Sequence, residues 1–324
     1  DSPGRERHEP PQQVFREECS IKAHPAKRFT QAFLDKSTGE MVNKKPEGFI
    51  PTLYRLAEVV EAIKAGRNVY LVEGEKDADT AAANKLVATT NAQGSGAFPA
   101  ELASWFVGHE AQGESLQSRV RVVADRDLAG YRRAAALYRL LTETGAKASI
   151  VLPATTEDKS DLTDHFAAGY SAGDLITVPL QTVQLMAQVE EIKLARKTVE
   201  QACEQAEARQ ALALKGGTEE EAAENAESAK VWAKEATRRL SRIRELADLP
   251  MEMRTSDAHL ATAITDVRDQ AFARVNDLHT SLDLPVPPSV LDLKGGTVVS
   301  LAAAAASRHV PGTMADDPSP STPN

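Results

Sequence analysis

The chain has 324 residues, with 38 lysines and arginines against 47 aspartates and glutamates, which gives a net charge of −9. This balance excludes a protein that coats nucleic acid by its overall charge, so any phosphate contact needs a local basic patch or a metal ion. Two cysteines are too few for a zinc ribbon or a disulfide framework and favour a reducing, cytoplasmic setting. No apolar run is long enough to span a membrane.

Residues 1–49 predict a disordered or small N-terminal segment. Charged residues, proline and glutamine dominate its start, and residues 1–13 lack any apolar period. A short apolar stretch that ends at Leu34 is followed by turn-forming residues at 36–39, which fits a small hairpin.

Residues 50–180 predict an α/β domain. Short apolar runs, typical of buried parallel strands, alternate with segments of helical periodicity, the first of which ends at Gly66. This alternation predicts βαβ crossovers and a mostly parallel sheet flanked by helices. The predicted strands are residues 69–72, 87–91, 120–124 and 148–152, and the predicted helices include residues 77–86, 99–107 and 130–145.

Residues 181–283 predict an all-α extension, the helical arm. Breaks at residues 215–218 and 249–250 divide it into two long helices, which we expect to pair as an antiparallel hairpin, and a third helix over residues 256–282. The periodicity fits both a structural coiled coil and an arm for oligomerisation or partner docking. Residues 284–324, rich in proline and alanine, predict a disordered tail.

Acidic residues follow three of the predicted strands. Glu73 comes directly after the first strand, Asp125 and Asp127 after the third, and Asp161 a few residues after the fourth. Ligands of open parallel sheets bind beyond the carboxyl ends of the strands, and two acids two positions apart in extended chain share one side. Oxygen ligands of this kind suit Mg²⁺ (or Mn²⁺), which takes one or two carboxylates together with substrate phosphates.

Each acid taken singly also fits a structural role. Glu73 fits the N-terminal turn of a helix, where the helix dipole stabilises a carboxylate. Asp125 and Asp127 fit an N-cap with a solvated partner, and Asp161 fits a capping group. Their joint occurrence after three separate strands favours one site over three caps.

Two segments together resemble the Toprim domain, the metal-dependent domain shared by bacterial-type primases, topoisomerases and some nucleases. They are residues 70–78, with the sequence YLVEGEKDA, and residues 122–130, with the sequence VVADRDLAG. The lead-in at residues 50–56 and the segment at residues 159–169 are of the type seen in phage and plasmid primase-like members. The resemblance covers about residues 50–180 and implies the Toprim fold there.

The resemblance also implies roles for single residues. Glu73 matches the general acid/base of the family, and Asp125 and Asp127 match its Mg²⁺ ligands. Asp161 is a weaker candidate for an accessory metal ligand. Asp77 lies where primase-type members often keep an acid, which makes it an accessory acid of the predicted site.

Basic residues are dense around these motifs, with six arginines between positions 119 and 139. They fit contacts to phosphates or an incoming nucleotide, and they equally fit a solvated helix face paired with acids such as Glu143. The residues predicted to bind nucleic acid or nucleotide are Lys76, Arg126, Arg132 and Arg133.

The chain departs from complete primases of this kind, which usually carry an N-terminal zinc ribbon. Its N-terminal stretch offers only Cys19, with His8 and His24 nearby, so no zinc is expected. No P-loop motif of a helicase motor occurs, and no tyrosine lies in a recognisable topoisomerase cleavage domain.

Three functional hypotheses follow. The first is a Mg²⁺-dependent, primase-like nucleotidyltransferase of phage or plasmid type, which acts in DNA replication on single-stranded DNA and nucleotides, with a replicative helicase or another replisome protein as partner. The second is a Toprim nuclease that nicks or trims nucleic acid. The third is a non-catalytic DNA-binding scaffold that uses residues 181–283 to recruit a partner or to form a homo-oligomer.

Overall fold

A computed structural model describes residues 15–19, 28–35, 38–43, 51–91, 98–107, 109–111, 114–116 and 119–287. The chain divides into two compact units. The first comprises Asp1–Leu194 and Leu249–Thr265, and the second comprises Ala195–Asp248 and Asp266–Asn324. The predicted domain boundaries at 49/50, 180/181 and 283/284 stay predictions, since the units divide inside helices.

The described strands and helices alternate through the first half of the chain and give way to helices in the second half. The strands are β1 Phe15–Cys19, β2 Arg28–Leu34, β3 Met41–Val42, β4 Val69–Leu71, β5 Val87–Thr89, β6 His109–Ala111, β7 Glu114–Leu116, β8 Arg119–Val123, β9 Lys147–Leu152 and β10 Ile176–Val178. The helices are α1 Leu56–Lys64, α2 Glu75–Ala83, α3 Ala100–Ala103, α4 Leu128–Glu143, α5 Leu162–Ala167, α6 Leu180–Leu214, α7 Glu219–Ala247, α8 Met251–Ser256 and α9 Ala258–Ser281.

A five-stranded sheet of order β10-β9-β8-β4-β5 forms the centre of the first unit. The three pairings that join β9, β8, β4 and β5 are parallel, and β10 closes one edge antiparallel to β9. The register places Leu71 of β4 between Val122 of β8 and Thr89 of β5. The predicted fold class, a mostly parallel sheet with flanking helices followed by an all-helical region, is confirmed.

Helices cover both faces of this sheet, which explains why its central strand β4 is apolar throughout. All of β4 is buried, as expected for a central parallel strand. On one face, α1 and α4 pack through residues such as Val59 and Ala134. On the other face, α2 and α5 pack through residues such as Ala78 and Leu162.

Several element ends differ from the predictions. The second predicted strand, residues 87–91, ends at Thr89, because Asn91 forms an isolated bridge with Leu53 instead. The predicted helix at residues 99–107 is a short α3 followed by a 3₁₀ turn over Ser104–Phe106. The hairpin expected around residues 36–39 is present as β2 paired with β3, whereas residues 1–13 and the tail from 288 onward lie outside the described residues.

The helical region contains the two long helices α6 and α7 and, beyond the predicted break at Pro250, the short α8 and the long α9. Thr218 caps α7 in a reciprocal capping box with Glu221, as the sequence predicts. In the second unit, Arg274 joins α9 to α6 through ion pairs with Glu200 and Glu207. Within the described residues, no helix is both long and apolar enough to cross a membrane.

Candidate functional site

The candidate site lies where the order of the sheet reverses. From β4 the chain continues to β5 on one side, whereas from β8, the neighbour of β4 on the other side, it continues to β9, so the connections that follow β4 and β8 run in opposite directions. This arrangement opens a crevice beyond the carboxyl ends of β4 and β8, the usual ligand position in open α/β sheets. Glu73 follows β4 and Asp125 follows β8, so topology brings these two acids to the same crevice.

The Glu73 carboxyl lies close enough to Asp125 to raise the pKa of the Asp125 carboxyl, through its negative charge and through a hydrogen bond. Burial raises the pKa of the Asp125 carboxyl to about 8 from an ordinary value of 3.8, and the negative charges of Glu73 and Asp77 raise it further. With a pKa of about 8, the Asp125 carboxyl keeps its proton at neutral pH when no cation is bound.

The backbone on both sides of Glu73 is held by side chains from other elements. The Thr90 hydroxyl donates to the Glu73 carbonyl oxygen at 2.9 Å. The Arg133 guanidinium on α4 donates from Nη2 to the Val72 carbonyl oxygen at 2.7 Å. These two bonds fix the end of β4, and with it the point from which the Glu73 carboxyl projects.

Asp125 is held by the close approach of α4. A Cβ added at Gly130 would overlap the Asp125 carbonyl oxygen and would lie 2.8 Å from its backbone nitrogen. Only glycine allows the first turn of the helix to lie this near to the strand end. The segment after β9 lies on the other side, where Arg126 N donates to Ser160 O at 3.0 Å and Lys159 N donates to Arg126 O at 3.0 Å.

Asp127 and Asp161, both predicted metal ligands, are helix N-caps in the structure. Asp127 Oδ1 accepts from Gly130 N at 2.7 Å at the start of α4. Asp161 Oδ1 accepts from Asp164 N at 2.8 Å at the start of α5, and its Oδ2 pairs with Lys76 Nζ at 3.3 Å. Asp127 and Asp161 therefore have the capping roles that were one of the two alternatives from the sequence, and metal binding by these two residues stays a prediction.

Asp77, the predicted accessory acid, is buried between α2 and α5. Its Oδ1 accepts from the Thr163 backbone N–H at 3.1 Å and from the Thr163 hydroxyl at 2.6 Å. Burial raises the pKa of Asp77, while these hydrogen bonds lower it. Asp77 thus holds the start of α5 on α2 and contributes negative charge near Asp125.

The arginines predicted to bind nucleotides have partners within the protein. Arg126 donates through Nε and Nη2 to the Pro153 carbonyl oxygen, at 3.1 and 2.7 Å, and Arg132 pairs with Glu191 on α6. Arg133 is mostly buried, burial lowers its pKa, and its Nε has no hydrogen-bond partner among the described residues. Sequence reasoning missed the structural roles of Arg133 and Thr90.

The donor set of the crevice fits a divalent cation with oxygen ligands. Within the described residues, no three His, Cys, Asp or Glu side chains converge in a metal-binding group. Glu73 and Asp125 do lie in hydrogen-bond contact. Mg²⁺ is commonly bound by only one or two carboxylates, with waters and substrate phosphates completing its shell. A cation would also replace the proton that the pair holds and remove the repulsion between the two acids.

Comparison with known proteins places the chain in no established family. No family model matches it, and no curated protein matches it. One similar solved structure is the crystal structure of the Aquifex aeolicus primase, zinc-binding and RNA polymerase domains, with a TM-score of 0.32 and 14% identity over 74% of this chain. The chain spans about half, 52%, of that protein. A score this low does not establish a common fold, so the proposed function rests on the residues of the site.

The contact of Gly130 with Asp125 predicts that Gly130→Ala destabilises the protein. Alanine normally stabilises a helix relative to glycine, but here the added methyl group overlaps backbone, and such overpacking costs about 1–3 kcal/mol. The free energy of unfolding from urea titrations measures the effect. Gly173→Ala is the matched control, because its Cβ would meet only the Ser171 hydroxyl at 3.5 Å. Equal stability of the two variants would contradict the account.

The raised pKa of Asp125 predicts a pH-dependent stability. Because the folded state binds this proton more tightly than the unfolded state, wild-type stability in EDTA falls as pH rises from about 4 to about 8. Asp125→Asn removes the contribution of Asp125 to this slope, at most about 1.4 kcal/mol per pH unit, so the variant becomes more stable relative to the wild type as the pH approaches 8. Urea titrations across this range measure it, with the exposed Glu143→Gln as control. Parallel pH profiles for wild type and Asp125→Asn would refute the prediction.

Proposed function

We propose that the chain is a Toprim protein that uses Mg²⁺ at Glu73 and Asp125 to join nucleotides on single-stranded DNA, as a primase does. The observation that carries this proposal is the contact of the two carboxyl groups beyond neighbouring parallel strands, at the point where the sheet order reverses. The sequences around them are those in which the resemblance to Toprim primases was found.

The proposed chemistry divides between the cation and the protein. A bound Mg²⁺ supplies positive charge that offsets the charge on phosphate oxygens during phosphoryl transfer. Asp125 holds the cation, and Glu73 moves a proton to or from the reacting hydroxyl. The bonds from Thr90 and Arg133 around Glu73, and the packing of α4 against the backbone of Asp125, keep the two carboxyls adjacent before any cation arrives.

The remaining acids support this pair in the proposal. Asp127 caps α4 through Oδ1, and we propose its other oxygen, directly or through water, as a second contact to the cation. Asp161 and Asp77 fix α5 and add negative charge beside Asp125. Lys76, on the exposed side of Asp161, is the proposed contact to a substrate phosphate.

Purified chain incubated with Mg²⁺, nucleoside triphosphates and single-stranded DNA is expected to yield short labelled oligonucleotides. Asp125→Asn and Glu73→Gln should each lower the rate by about 10²–10⁴-fold, the range expected for a lost proton-transfer group or metal contact. Glu143→Gln, an exposed acid in the last turn of α4, should retain wild-type activity.

Other outcomes of the same assay reject the proposal in distinguishable ways. Shortening of end-labelled DNA without nucleoside triphosphates would identify a nuclease that uses the same acids. Synthesis that survives both Asp125→Asn and Glu73→Gln would refute the site assignment. Absence of synthesis and of cleavage, with residues 181–283 forming oligomers or capturing a replisome protein, would favour the scaffold.

A further inference from the structure

Three basic side chains lie together on the face of the sheet that carries α2 and α5. Arg119 and Arg121 lie two positions apart in β8 and therefore on the same face, and Lys147 is the first residue of β9. The parallel register pairs Arg119 with Lys147 and Arg121 with Ser149, so these side chains project from the same face. We call Arg119, Arg121 and Lys147 the amino-end cluster, because they lie near the amino ends of their strands.

Arg121 is an unusual residue for its position. It lies in the middle of a central parallel strand, where positions are generally apolar. Its guanidinium lies 6.0 Å from the centre of the Tyr70 ring, and its Nε is buried with no hydrogen-bond partner in the described part of the chain. A buried donor without a partner costs about 1–3 kcal/mol, so an anionic acceptor at this face would stabilise the protein.

The other two cations are directed to solvent. Arg119 and Lys147 are exposed, and among the described residues no carboxylate forms an ion pair with any member of the cluster. Further along the same face, α2 and α5 cover the carboxyl halves of the strands through Ala78, Leu162 and their neighbours. The amino halves of β8 and β9 therefore present positive charge in a chain whose net charge is −9.

We propose that the amino-end cluster binds the phosphodiester backbone of single-stranded nucleic acid. The cluster is distinct from the acidic site, because Arg119 and Asp125 lie six residues apart along an extended strand, about 20 Å. A nucleic acid bound at both places would run from the amino ends to the carboxyl ends of these strands, with its phosphates held at the first and its reacting group at the second.

The chemistry of the face favours nucleic acid over an acidic peptide. Arginine presents a fork of donors that matches phosphate, and Ser149, whose side chain is a hydroxyl, is the register partner of Arg121. Peptide partners are usually anchored by apolar side chains in pockets. On this part of the face, the Tyr70 ring is buried beneath Arg121.

Fluorescence anisotropy of a labelled single-stranded oligonucleotide, in EDTA and over a series of salt concentrations, tests the cluster. The double variant Arg119→Gln/Lys147→Gln should lower the slope of log affinity against log salt by about 1.4, since each phosphate contact on a single strand contributes about 0.7. At about 0.1 M salt, this corresponds to roughly twenty-five-fold weaker binding. Both residues are exposed, so the variant should unfold at the wild-type temperature.

The matched control is Arg139→Gln/Lys64→Gln, which removes two exposed cations from α4 and α1 on the opposite side of the sheet. It should leave the salt slope unchanged. Equal losses in both double variants, or no binding by the wild type in EDTA, would overturn the proposal. Competition by polyglutamate as effective as that by unlabelled DNA would also overturn it, in favour of an acidic peptide. Because EDTA removes the cation, failure of the proposed catalysis would leave this result unchanged.

Discussion

The repulsion between two carboxyl groups is the constraint on which the first unit of this protein depends. Glu73 and Asp125 follow neighbouring parallel strands and lie in hydrogen-bond contact, partly buried. Two buried negative charges do not remain adjacent unless they are held there and share a proton or a cation. Hydrogen bonds from Thr90 and Arg133 hold the backbone around Glu73, and α4 packs against the backbone of Asp125.

This arrangement lowers stability at the place where chemistry is proposed. Folding brings the negative charges of Glu73 and Asp77 close to Asp125 and raises the pKa of Asp125. It also buries the Nε of Arg133, which has no hydrogen-bond partner in the part of the chain that the structure describes. Natural sites often keep such unfavourable groups because a ligand offsets them on binding. A divalent cation is the ligand whose charge and oxygen preference match this set.

The sequence predicted the sheet because its strands are short, continuous apolar runs between helical segments. It predicted that Glu73 and Asp125 meet, since each follows such a run. It did not predict β10, because an edge strand of three residues, two of them exposed, carries little pattern. Nor did it predict the role of Arg133, whose acceptor is a backbone carbonyl 61 residues away that any residue at position 72 would supply. The amino-end cluster was not predicted from the sequence either, because the register between β8 and β9 decides which basic side chains share a face.

Calorimetric titration of the metal-free protein with Mg²⁺ tests the central claim, that Glu73 and Asp125 form a cation site whose proton the cation replaces. In buffers of different ionisation enthalpy at pH 7, the wild type should bind Mg²⁺ with release of about one proton. Asp125→Asn should bind at least about ten-fold more weakly and release less. Binding without proton release, or equal affinity in the two proteins, would contradict the account.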